Sequence, residues 1–199
     1  MIPNAIKNFI EHFRKIPGLG PRAATRLAFF ISRLDTQTRS NLIESLKNLE
    51  NLERCKRCFF IKEKEQELCE ICSDSRRDSR IIAIVEKDTD ILTLEKPREF
   101  RGTYLILGEL SGRGILEESH KNRIEQLKRR IEGEPEGNIE EIILAVNPHA
   151  LGDMLYEILK RDFKHLTSHI TRLGRGLPTG GEIEFADEET LKNALRRRS

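Results

Sequence analysis

All four cysteines of this 199-residue chain lie between Cys55 and Cys72, spaced C-x2-C-x10-C-x2-C. Two CxxC knuckles so close together direct four thiolates at one point, the ligand set of a tetrahedral metal site. Four protein ligands leave no open coordination position, so Cys55, Cys58, Cys69 and Cys72 predict one structural zinc ion per chain and not a catalytic metal. The segment around them is charged and poor in apolar residues, so metal energy would replace a core it cannot build. The competing reading is a pair of redox CxxC motifs. That chemistry usually needs one CxxC opening a helix on a thioredoxin-like sheet, which a short, loop-rich segment fits poorly.

The N-terminus, Met1-Ile2-Pro3-Asn4, has neither the basic segment nor the apolar stretch of a signal peptide, and no apolar run is long enough to span a bilayer. With clustered cysteines, this predicts a cytoplasmic, reducing setting and no membrane association. Net charge is only +2, so bulk charge does not argue for nucleic acid. The distribution does: arginines cluster at Arg22 to Arg26, Arg172 to Arg175 and Arg196 to Arg198.

The first fifty residues read as helical. Ile6, Phe9, Ile10 and Phe13 share one helix face. A second helix is expected from Arg22, with Ala23, Leu27, Phe30, Ile31 and Leu34 apolar. A third is expected near Thr38, with Leu42, Ile43, Leu46 and Leu49. Between the first two stands Pro17-Gly18-Leu19-Gly20-Pro21, which no regular helix tolerates. Glycines here allow positive φ and close approach, so amides at the next helix N-terminus can face a phosphate. Arg22 and Arg26, four apart, reach the same backbone. The pattern looks like a helix-hairpin-helix, with Gly18, Gly20, Arg22 and Arg26 as the expected DNA contacts, insensitive to base sequence. The alternative is an ordinary helical hairpin.

From Arg80 the texture becomes that of an α/β sheet. Ile81–Val85, Tyr104–Leu107, Ile142–Val146 and Ser168–Thr171 read as strands. Thr89–Glu95, His120–Ile131 and Ala150–Arg161 read as helices between them. Alternation of this kind implies a mainly parallel sheet. Glu132 to Gly137 reads as a solvated loop. A glycine-rich turn from Gly174 to Gly181 precedes an expected strand, Glu182–Phe185, and a C-terminal helix. That turn lacks the spacing and lysine of a P-loop, so no nucleotide is expected.

Glu86 ends one strand, Asp90 follows in the next helix, and Asp153 lies just beyond Asn147 and His149 at the end of another. The arrangement resembles a Toprim domain, whose enzymes use a strand-end glutamate and a later Asp-x-Asp for magnesium chemistry on phosphodiesters. Here Glu86 matches the glutamate, but Asn147 and His149 hold the Asp-x-Asp positions, and amide and imidazole are poor ligands for a hard cation. Magnesium-dependent cleavage is therefore not expected. The rival reading is a Toprim nuclease or topoisomerase-like enzyme using Glu86, Asp90 and Asp153. A plainer one makes Glu86 and Asp90 ordinary strand-end and helix-start residues.

Taken in order, these modules resemble the RecR family of bacterial recombination mediators. The match is carried by Pro17 to Arg22 with Arg26-Leu27-Ala28-Phe29, by the four cysteines, by Ala145-Val146-Asn147-Pro148, by Thr171 to Glu182, and by Ala186-Asp187. The fold class is thus α+β multi-module. It comprises a helical helix-hairpin-helix region (1–53), a small C4 zinc finger (54–79), an α/β Toprim domain (80–175) and a C-terminal strand and helix (176–199). The resemblance implies a non-enzymatic DNA clamp or adaptor in recombinational repair, a homo-oligomeric dimer or tetramer ring around DNA. Its implied partners are RecO and RecF, and it would help load RecA at gapped DNA. It also implies an acidic residue two positions before Asp153, where this chain has Leu151; Glu86, Asp90 and Asp153 would form an acidic edge toward a partner or a weakly held metal.

Overall fold

The computed structural model describes residues 2–110, 116–133, 139–167 and 169–196. It divides into two compact units, Met1–Leu52 and Glu53–Ser199.

The first unit is helical: α1 Asn4–Phe13, α2 Pro21–Ser32 and α3 Thr36–Asn48. Ile6, Phe9, Ile10 and Phe13 are the partly buried residues of α1, as their spacing requires. Phe9 and Phe13 stack with ring centroids 3.8 Å apart. On α2 the buried residues are Ala24 and Ala28, while Phe30 is 62% exposed. Of the apolar positions expected for this helix, Ala23, Leu27, Ile31 and Leu34 are half-buried, and Phe30 is the one that turns outward. Asp35 starts α3 two residues earlier than expected, because its carboxylate accepts the Thr38 N–H at 2.9 Å and caps the first turn.

In the second unit a two-stranded sheet of β1 Leu52–Arg54 and β2 Ile61–Glu63 carries the first cysteine knuckle, and the one-turn α4 Glu70–Ser73 carries the second. The α/β part runs β3 Asp78–Val85, α5 Asp88–Leu94, β4 Gly102–Ile106, α6 Glu118–Gly133, β5 Glu141–Leu144, α7 Ala150–Asp162 and β6 Ile170–Arg172. Its four strands pair in the order β4-β3-β5-β6, and all three pairings are parallel. Glu132 and Gly133 complete α6 instead of opening a loop; residues 134–137 of that expected loop, Ser168 of the expected strand and Arg197 and Arg198 of the basic tail lie outside the described residues. Glu182–Phe185 is not a strand. Ile183–Phe185 forms a 3₁₀ turn, because alternation alone cannot make a strand without a neighbour to bond, and Ile183 and Phe185 are 68% and 80% exposed. The chain ends in α8 Glu188–Arg196.

Alternation along the strands builds two cores. Ile82, Ile84, Leu105 and Leu107 join Ile124, Leu127 and Ile131 of α6 and Leu155 and Leu159 of α7 on one face. Ala83, Val85, Tyr104 and Ile106 join Ile91 of α5 on the other, and there all four cysteines complete the packing. The cysteine segment thus borrows the sheet for its core and belongs to the same compact unit.

Two partly buried polar networks brace this region, one within the cysteine segment and one against the sheet. The Lys62 ammonium, its side chain 1% exposed, pairs with Glu53 and donates to the carbonyls of Gln66 at 2.6 Å and Glu63 at 3.2 Å. Arg77 grips Glu95 with two bonds of 2.9 and 2.6 Å, and the Tyr104 hydroxyl donates to the same carboxylate at 2.6 Å. The hydrogen bonds from Arg77 hold the Glu95 carboxyl below the ordinary glutamate value, and burial with Glu95 alongside raises the Tyr104 phenol. A depressed folded-state value means that this stability is fully present above the ordinary glutamate range and is lost as pH falls below it. Glu95→Ala should therefore cost about 2 kcal/mol at neutral pH. In urea melts, its difference from the parent chain should shrink toward pH 3; a constant difference would show that the carboxylate charge contributes nothing.

Candidate functional site

Two regions hold the residues singled out by sequence, one in each compact unit.

In the first unit, the turn between α1 and α2 closes with the Leu19 N–H on the Ile16 carbonyl at 3.0 Å. Gly18 adopts φ +79°, a left-handed conformation that costs glycine little and other residues more. Gly20 does not use this freedom: it is extended, with φ −70° and ψ 168°, and stands at the N-cap of α2 with no side chain capping the helix. Pro21 fills N1, where its missing N–H removes nothing from the helix. The first-turn amides of α2 and the exposed Arg22 and Arg26 side chains thus belong to one helix end. Positive helix potential and two guanidinium groups together suit a phosphate.

In the second unit, the four cysteine sulfurs lie within 4.8 Å of one another, and all four residues are buried. Cys58 Sγ and Cys69 Sγ are 3.4 Å apart; tetrahedral thiolates around an ion with 2.3 Å bonds stand roughly 3.8 Å apart. The first knuckle is tied by Phe59 N–H to the Cys55 carbonyl at 2.9 Å and Cys55 N–H to the Phe60 carbonyl at 2.8 Å. The Phe60 N–H points at Cys58 Sγ, 3.4 Å away. Hydrogen bonds from Cys58 and Cys72 lower the Cys69 thiol. Its proximity and burial raise Cys58, while Cys72 goes up through burial and its anionic neighbours against the opposing bond from Cys58. Four thiolates this close repel one another, so holding all of them deprotonated requires a cation. The donor set therefore fits a tetrahedral metal ion.

Phe59, next to Cys58, was not found by sequence reading. It holds φ +64°, unusual for an aromatic residue. Its ring packs against both cores, and Arg123 lies 4.7 Å from the ring centroid. The only hint in sequence is its position directly after a CxxC knuckle, where the chain must reverse.

The three strand-end acids do not converge. Glu86 is buried; its Oε1 accepts the Asn147 N–H at 2.9 Å and its Oε2 the Leu110 N–H at 3.3 Å. Asp90 Oδ2 accepts the N–H groups of Lys87 at 2.9 Å and Glu86 at 3.2 Å, closing the first turn of α5. Asp153 pairs with Arg172 and, at 2.9 Å, with Arg175. Burial acts to raise its carboxyl, but the two guanidinium groups outweigh it and hold the value down. Arg175 also reaches Glu189 at 3.1 Å, tying α8 to this edge, and the Arg172 guanidinium lies 3.7 Å from the Tyr156 ring centroid. Among the described residues, the cysteines are the single group of three or more metal-type ligands gathered at one point.

His149 and Asn147 have local duties. His149 Nδ1 accepts the Gly152 N–H at 3.1 Å, capping α7, and its Nε2 lies 3.7 Å from Glu86 Oε1. Gly152 must be small, since a Cβ there would meet the Asn147 carbonyl at 2.9 Å. Leu151 is buried. A cavity of about 340 Å³ opens at the ends of β5 and β6, lined in part by Asp90, Asn147, Arg172 and Arg175. This is the crevice position where open α/β sheets place ligands.

Comparison with known proteins agrees with this organisation. Residues 6–49 match a family model described as RecR, helix-hairpin-helix. Residues 80–174 match a Toprim domain model, and residues 176–199 match RecR, C-terminal. The chain is 37% identical over 202 residues to the recombination protein RecR of Paenarthrobacter aurescens, covering 100% of this chain and 98% of the relative. It is 39% identical over 200 residues to that of Chloroflexus aurantiacus, covering 100% and 95%. With that of Myxococcus xanthus it shares 35% identity over 202 residues, covering 100% and 98%.

Proposed function

The chain belongs to the RecR family of recombination proteins, and from that premise we propose that it is a non-enzymatic, DNA-binding clamp or adaptor in recombinational repair. The observation that carries this reading is the glycine turn at Gly18 leading into a helix end with no side-chain cap, where Arg22 and Arg26 stand exposed. Gly18 and Gly20 shape the approach, and the two arginines grip phosphates without reading bases. In this reading Cys55, Cys58, Cys69 and Cys72 hold one structural zinc ion, whose role is to close the knuckles against the sheet. The protein acts in the cytoplasm as a homo-oligomer, with RecO and RecF as partners in loading RecA at gapped DNA. Glu86, Asp90 and Asp153 serve the fold and an acidic edge toward a partner. Their engagement by main-chain amides and arginines supports a binding role over Toprim catalysis.

Fluorescence anisotropy with labelled DNA of unrelated sequences tests it. Arg22→Ala with Arg26→Ala should weaken binding about tenfold or more on every sequence and lower the salt slope by about 2. Unchanged affinity in dilute salt would overturn the DNA-binding reading.

A further inference from the structure

In the first compact unit, α2 has a face that the roles above use only in part. At about 100° per residue, Arg22, Arg26 and Arg33 fall in one row about 40° wide, with Phe29 on one flank and Phe30 on the other. The buried Ala24 and Ala28 lie on the opposite side of the helix. All the side chains of this row and its flanks are exposed, Phe29 by 39% and Phe30 by 62%. Of the nine phenylalanines in the chain, Phe185 alone is exposed besides these two, so the open rings are concentrated beside the arginines.

The row carries charge without a counter-charge. No acid occurs on α2, and among the described residues none of Arg22, Arg26 and Arg33 pairs with a carboxylate. Asp35, the nearest acid in sequence, is bonded through both oxygens to Thr38, at 2.9 and 2.7 Å. A second copy of the same face fits poorly here. A two-fold contact sets a patch against itself, so arginines would meet arginines. A polyanion that carries flat apolar groups along its length fits both the charges and the rings.

We propose that Phe29 and Phe30 are stacking platforms for unpaired nucleobases and direct this helix face to single-stranded DNA. The arginines take the phosphates, and the rings take bases splayed from the same strand. Bases inside a duplex are stacked on one another and reach a protein ring only by being extruded. Discrimination between single and double strands therefore comes from the rings and not from the charges. Every base offers a π face, so stacking adds little base preference. The proposal rests on the DNA-binding reading above and names the form of DNA that it selects.

The unaltered full-length chain supplies the first test. In fluorescence anisotropy it should bind a single strand about tenfold more tightly than an abasic strand of the same length; equal affinities overturn the proposal. Phe29→Leu with Phe30→Leu keeps apolar bulk and all three arginines. This variant should bind the single strand about tenfold more weakly, bind duplex as before and keep the parent's salt slope. A single-strand affinity that does not fall, or a duplex affinity that falls as far, overturns the proposal. The chain has no tryptophan, so Phe29→Trp places a lone indole on this face, a readout that stands even if the leucine pair disturbs α2. Its emission should be quenched by single strand and not by duplex; no quenching, or equal quenching by both, overturns the proposal. A lower solution mass for the leucine variant in light scattering assigns the rings to a contact between copies and also overturns it. If the rings fail these tests while Arg22→Ala with Arg26→Ala still weakens binding to both forms of DNA, the DNA-binding reading survives; if that variant too binds as before, both fall.

Discussion

Replacing Cys72 with serine, or stripping the metal with a chelator, is expected to abolish cooperative folding of the second compact unit. Structural zinc contributes about 10–16 kcal/mol of apparent binding energy at neutral pH, against a total domain stability of about 5–15 kcal/mol. The loss would not stay local, because the cysteines share a core with Ala83, Val85, Tyr104 and Ile106 of the sheet. Zinc content by atomic absorption and a thermal melt followed in the far ultraviolet check this together. The parent chain should hold one zinc and lose its sharp transition on chelation. A melt indifferent to chelator would remove zinc from the account of stability.

The second large effect lies on the opposite face. Phe163 ends α7, is fully buried, and packs in the cluster containing Ile142, Leu155 and Leu159. Its carbonyl also accepts the Leu166 and Thr167 N–H groups at 2.9 and 3.0 Å, turning the chain toward β6. Phe163→Ala removes a large ring from a close-packed site and should cost about 3–5 kcal/mol. Urea denaturation should show the midpoint falling with the slope retained; a loss below about 1 kcal/mol would mean that the site collapses around the missing ring.

Some of this was legible in the chain itself, for reasons that differ by element. The central strands were visible because the end of β3 and all of β4 are buried on both faces, so Ile81 to Val85 reads as an unbroken apolar run. The cysteine cluster was visible because ligand spacing is a local property. The helical turn was legible because proline and glycine punctuate backbone directly, although only Gly18 takes the left-handed conformation. Long-range pairings were not legible. Nothing near Glu95 announces Arg77 and Tyr104, and nothing near Asp153 announces Arg175, since sequence separation hides which side chains the fold brings together. The Glu182–Phe185 segment misled because its alternation resembles a half-buried strand, and whether a strand forms depends on an available edge. Phe30, expected among the apolar positions of the second helix, shows the same limit for a helix: phase is local, but which positions a neighbour covers is not, and Ala24 and Ala28 are the buried ones.

Glu86 illustrates how one buried acid can organise main chain that lies far from it in sequence. Its two oxygens hold the main chain just beyond β4 and β5, while its own backbone continues β3. Three strand ends are knotted at one carboxylate. Each of these oxygens accepts one amide N–H, so the carboxylate anchors two main-chain segments at once. The negative charge of one side chain thus serves as a clasp for the rim of the sheet.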